Sequence, residues 1–79
     1  MSNNNNVFRK PKRPEEASGK LSKKILTYIW SHPHAGTAEE IADACGCSIY
    51  AVNGVRYTYD IPAYIGPDGQ KYFGSLYMF

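Results

Sequence analysis

Tyr50, Asn53 and Tyr57 recur at three- and four-residue intervals, a spacing that places them on one face of a helix. A carboxamide donates and accepts together, so Asn53 matches the donor–acceptor pair on an adenine edge. The two tyrosines can contact phosphate or sugar, or pack against bases. Arg56, beside them, can contact a phosphate. The plainer alternative is a solvated amide and tyrosines that cover a small core. A second set is His32, His34, Cys45 and Cys47, four side chains able to ligate zinc. Tetrahedral zinc prefers at least two residues between paired ligands, and here each pair is separated by one. No metal site is therefore expected.

Cys45 and Cys47 are too close in the chain for unstrained disulfide geometry, so a reducing setting is expected. A thiol–histidine catalytic pair has no oxyanion arrangement to support it. The glycines around Pro67 are turn residues, not a phosphate-binding loop. Neither an enzyme nor a cofactor is expected.

Three helices must carry these residues. Leu21, Ile25, Tyr28 and Ile29 share a face of a helix that starts near Ser18 or Gly19 and runs to Trp30. Pro33 and Gly36 end that stretch. Thr37 with Glu40 forms a capping box for the second helix, whose buried stripe is Ala38, Ile41, Ala42 and Cys45. Gly46 stops it and Ser48 caps a third helix, in which Val52, Val55 and Tyr59 face inward. Residues 62–65 and 70–73 then form two short strands around the turn Gly66-Pro67-Asp68-Gly69. Residues 76–79 are a further short strand or a tail on the core. The fold class is α+β, with a helix-turn-helix followed by a hairpin.

Seventy-nine residues allow one small domain of modest stability, with little room for both a core and a deep cleft. Residues 1–18 read as a flexible basic arm and residues 19–79 as the folded domain. The Asn3–Asn6 run, Pro11, Pro14 and the charge leave the arm little to bury. Up to Lys24, seven basic and two acidic residues give +5; from Ile25 onward, two basic and five acidic residues give −3. No apolar run reaches the length of a membrane span, so a cytoplasmic protein with no membrane partner is expected.

The element order, the stretch Thr-Ala-Glu-Glu-Ile-Ala-Asp-Ala-Cys-Gly, then Ser48 and the Val52/Val55/Tyr59 stripe resemble the winged helix-turn-helix superfamily of DNA-binding domains. The resemblance covers Leu21–Phe79. It implies that the third helix enters the major groove and that the hairpin, as a wing, touches backbone or minor groove. It also implies that Ile49, Tyr50, Asn53, Gly54 and Tyr57 face outward on the recognition helix, with Ser48 at its start. Asn53 and Tyr57 are similar to an Asn/Tyr pair in Z-DNA-binding winged-helix domains. Those domains carry a lysine where this chain has Ile49, and a Pro-Pro-x-Trp wing that is absent here.

The expected function is a small DNA-binding transcriptional regulator, or an accessory DNA-binding protein of a bacterium or mobile element, associated with the nucleoid. Lys71 on the wing, and Arg9, Lys10, Lys12 and Arg13 on the arm, would contact the backbone of double-stranded DNA. Lys20, Lys23 and Lys24 are either further phosphate contacts or solvated surface. So small an interface calls for a homodimer on paired half-sites or for help from the arm. The aromatic C-terminus offers a dimer surface or closes the core. The rival function is a winged-helix protein-interaction module that binds a transcription component or another regulator. Its support is the acidic second helix, with Glu39, Glu40 and Asp43, where like charge weakens attraction to phosphate.

Overall fold

A computed structural model describes residues 10–78 of the chain. Three helices, α1 (Lys20–Ser31), α2 (Ala38–Cys45) and α3 (Ile49–Thr58), precede strands β1 (Tyr64–Ile65) and β2 (Lys71–Tyr72). The strands pair antiparallel, Tyr64 opposite Tyr72 and Ile65 opposite Lys71. Short 3₁₀ turns cover Pro14–Glu16 and Ser75–Tyr77.

The helix boundaries follow from local chemistry. Thr37 Oγ1 accepts the Glu40 N–H at 3.2 Å, and Glu40 Oε1 accepts the Thr37 N–H at 2.8 Å, closing the expected capping box. Gly46 ends α2 in the left-handed region at φ +68°, where glycine carries no Cβ penalty. The next N–H, that of Cys47, bonds back to the Ala42 carbonyl at 2.9 Å. Ser48 Oγ accepts the Ala51 N–H at 3.2 Å and starts α3. Because only three residues separate α2 from α3, the two helices must cross within one tight turn.

The core joins Ile25, Leu26 and Ile29 of α1 to Ile41, Ala42 and Cys45 of α2 and to Val52 and Val55 of α3. Tyr59, Ile61, Phe73 and Met78 close it from the C-terminal half. Leu26 takes the inward position on α1, whereas Leu21 is 44% exposed. This differs from the stripe expected from spacing, because the central turns of α1 pack against α2 and α3 while Leu21, in the first turn, borders an open groove with Ala51, Gly54 and Thr58 of α3.

Gly66 N–H donates to the Gln70 carbonyl at 2.9 Å, and Gly69 N–H to the Gly66 carbonyl at 2.9 Å. Asp68 accepts the Gln70 N–H at 3.0 Å and the Tyr72 hydroxyl, which fastens the turn to β2. The hairpin is anchored to the helices by a two-bond bridge. Gly36 N–H donates to the Phe73 carbonyl at 3.1 Å, and Phe73 N–H to the Gly36 carbonyl at 2.8 Å. The loop before α2 thus runs beside the chain leaving β2, and the hairpin is held against the start of α2. The C-terminal stretch, read as a strand or tail, is a 3₁₀ turn that leads into buried Met78.

The arm expected over residues 1–18 enters the described structure at Lys10, and its later part is docked on the helices. Lys12 N–H donates to the Tyr59 carbonyl at 2.9 Å, while the Lys12 carbonyl accepts the Trp30 indole N–H at 2.9 Å. The Arg13 guanidinium lies 4.6 Å from the Trp30 ring centroid. Ser18 N–H donates to the Tyr59 hydroxyl at 2.9 Å. The physical reason is that Trp30 and Tyr59, far apart in the chain, form one amphipathic shelf with polar handles that a passing backbone can satisfy.

Candidate nucleic-acid interface

Helix α3 divides into three flanks. Val52 and Val55 point into the core, with Tyr59 at its end. Tyr50 and Tyr57 lie on the opposite side and are 88% and 70% exposed. Burying two such rings in a single small domain would leave their hydroxyls without water, so the surface is where they cost least. Asn53 is half-buried beside this pair.

The third flank faces the hairpin. Ile49 and Asn53 share a groove of about 280 Å³ with Gln70, Lys71, Phe73 and the Thr37–Glu39 start of α2. Ile49 is 40% exposed there, and Lys71 is exposed on β2. Three of the expected contact residues, Ile49, Asn53 and Lys71, therefore converge on one concave surface. Sequence reasoning missed Gln70 and Glu39 as its neighbours. No local signal marks them, because their place depends on the Gly36–Phe73 bridge that holds the hairpin to α2.

Arg56 sits on the hairpin side. Its guanidinium lies 4.9 Å from the Tyr57 ring and 5.8 Å from the Phe73 ring, and Nη1 donates to the Tyr57 hydroxyl at 3.1 Å. Two aromatic rings thus orient a cation next to the exposed face. Gly54 is exposed, with nothing within 4 Å of where a Cβ would stand. It lies toward α1, in a second groove with Leu21, Ala51 and Thr58. Ser48 is committed to the helix cap through its Oγ. Of the basic arm, Lys10, Lys12 and Arg13 are exposed; Lys12 and Arg13 are held by Tyr59 and Trp30 instead of lining the groove. Arg9 lies outside the described residues.

The remaining reactive side chains are dispersed. His32 stacks on Tyr28 with ring centroids 4.0 Å apart, and His34 Nδ1 lies 3.3 Å from the Tyr77 hydroxyl. Tyr77 stacks in turn on Tyr64 at 5.3 Å. Cys45 is buried, and burial raises its thiol pKa; the Cys47 thiol pushes the same way and Lys24 opposes it. Among the described residues, no group of three or more His, Cys, Asp and Glu side chains is placed to hold a metal ion. Likewise, no helix among them is long and apolar enough to cross a membrane.

Three ionisable groups report the tethers of the fold. The Ser18 backbone N–H bonding to the Tyr59 hydroxyl lowers that phenol's pKa. The Tyr72 hydroxyl, followed by the Gln70 N–H, holds the Asp68 carboxyl below its ordinary range. The same bond raises the Tyr72 phenol. None of these groups belongs to the α3 surface, which presents a carboxamide, two exposed phenols and the Arg56 guanidinium, with Lys71 across the groove on β2. Compared with protein families, with curated proteins and with solved structures, the chain finds no match.

Proposed function

We infer that this chain is a small DNA-binding protein of the winged-helix type, a transcriptional regulator or accessory factor that works at the nucleoid. In this reading α3 lies in the major groove of double-stranded DNA, and the hairpin acts as a wing along the backbone. The observation that carries it is the α3 face on which half-buried Asn53 stands beside exposed Tyr50 and Tyr57, with Arg56 on the same helix and Lys71 across the groove on β2. A helix face with a bidentate carboxamide between two phenols, one cation on the helix and one on the facing strand, has base readers in the middle and phosphate contacts at the edge. Lys10, Lys12 and Arg13 add positive charge at the far end of α3, where the backbone of an adjacent groove would pass.

Fluorescence anisotropy with a random duplex across a salt series tests the reading. Affinity should fall steeply with salt, and Lys71→Ala should reduce the slope of log K against log salt by about one. Lys10→Gln with Lys12→Gln should weaken binding at every sequence. These substitutions are preferable to truncation, since the Lys12 backbone bonds both Tyr59 and Trp30. Absence of binding at low salt refutes the reading.

A second reading, a protein-interaction module of the same fold, draws on the exposed carboxylates Glu39, Glu40 and Asp43 of α2, of which Glu39 lines the groove. Like charge there opposes a phosphate backbone. Exposed Ile65 and Leu76 give the hairpin side apolar area suited to a partner or to a second copy of the chain. Salt-insensitive retention of another protein, with no duplex binding, favours this reading.

A further inference from the structure

Ile49 and Asn53 stand one helical turn apart on α3 and open onto the same groove, facing Gln70 and Lys71 across it. Each makes a different demand on a ligand. The Asn53 carboxamide wants one acceptor and one donor side by side. Ile49, 40% exposed, has no polar atom and gains only from apolar contact. The lining carries one cation, Lys71, and one carboxylate, Glu39.

Among base-pair edges in the major groove, these demands select strongly. Guanine offers two acceptors and is best met by a forked or paired cationic donor. Cytosine offers a lone amino donor and nothing apolar. Adenine offers N7 as acceptor and the N6 amino group as donor, and its partner thymine offers the C5 methyl. On a helix, residues four apart are surface neighbours, so both features fall within reach of one short stretch of duplex.

Resting on the DNA-binding function inferred above, the geometry points to A·T pairs as what this groove reads, with Asn53 on adenine and Ile49 against the thymine methyl. Ile49 is then a specificity-determining residue, and the methyl group is its ligand. Gln70 supplies a second carboxamide from the hairpin side, and Lys71 meets a flanking phosphate at the rim.

The test starts from a randomised duplex pool enriched over several rounds on the full-length protein. The enriched pool is then copied once with thymidine and once with deoxyuridine triphosphate, which removes only the methyl. A·T steps should be enriched, and loss of the methyl should weaken binding about fourfold for each buried contact. Ile49→Ala should bind the thymine and uracil pools alike, while Ile49→Val keeps the difference. The comparison on the parent protein needs no variant, so it stands even if a substitution disturbs folding. Equal affinity of the parent for the two pools, with duplex binding intact, overturns the groove assignment alone. No retention of any duplex at low salt removes the DNA reading together with it.

Discussion

Replacing Gly36 with alanine perturbs the joint between the hairpin and α2. Gly36 has φ +105°, a region L-residues rarely adopt, and holding alanine there costs about 1–3 kcal/mol. The added Cβ would stand 2.3 Å from Glu40 Oε1 and 3.2 Å from Glu40 Cβ. The carboxylate must swing away, and its bond to the Thr37 N–H goes with it. Loss of that half of the capping box adds about 1 kcal/mol. The total, about 2–4 kcal/mol, is a large share of the stability of so small a domain. Thermal unfolding followed by circular dichroism should show a midpoint lower by at least about 10 °C. Glu40→Ala alone should cost about 1 kcal/mol. Since it removes the nearest clashing atoms, the double variant should be less destabilised than the sum, by about 0.5–1 kcal/mol. A Gly36→Ala protein within about 0.5 kcal/mol of the parent, or strict additivity in the cycle, would refute the account of this joint.

Other outcomes follow from the same geometry. Asn53→Ala and Tyr57→Ala should abolish sequence-specific binding in a competition assay and leave the unfolding midpoint close to the parent's, since both side chains lie outside the core. If both bind like the parent, α3 is not the reading helix. Asp68 is held below its ordinary pKa in the folded state, so its bonds stabilise the fold above about pH 4 and are lost as pH falls through the folded value. A melting series from pH 6 to 2 should therefore narrow the gap between parent and Asp68→Asn; a gap that is constant with pH contradicts it. Iodoacetamide should label Cys47 well before Cys45, whose thiol is buried and kept protonated. Equal labelling rates in the native protein would mean that the end of α2 opens readily.

Much of the helical frame was legible because its signals are local. The Thr37/Glu40 box, the Gly46 stop and the Ser48 cap each involve residues within five positions, and each forms as expected. The turn around Pro67 and Asp68 closes by the same short-range chemistry. Spacing also separated the inward valines of α3 from its exposed tyrosines. The core face of α1 was less legible. Its boundaries follow from periodicity, but the choice of Leu26 over Leu21 depends on which turns of α1 the other helices cover.

Three features were decided only by the tertiary structure. The docking of residues 12–18 joins positions more than forty apart, Ser18 to Tyr59 and Lys12 to Tyr59, and nothing in a polar, proline-containing segment announces its partner. The Gly36–Phe73 bridge is made of backbone atoms, which every residue possesses, so composition is silent about it. From that bridge comes the placement of Gln70 and Lys71 across from Ile49 and Asn53. The residue types with chemical capacity on α3 were determined by the sequence itself through helical spacing. Which of them share a groove was decided by how the hairpin docks, because long-range contacts arise from the packing of whole elements and leave no periodic trace in either partner.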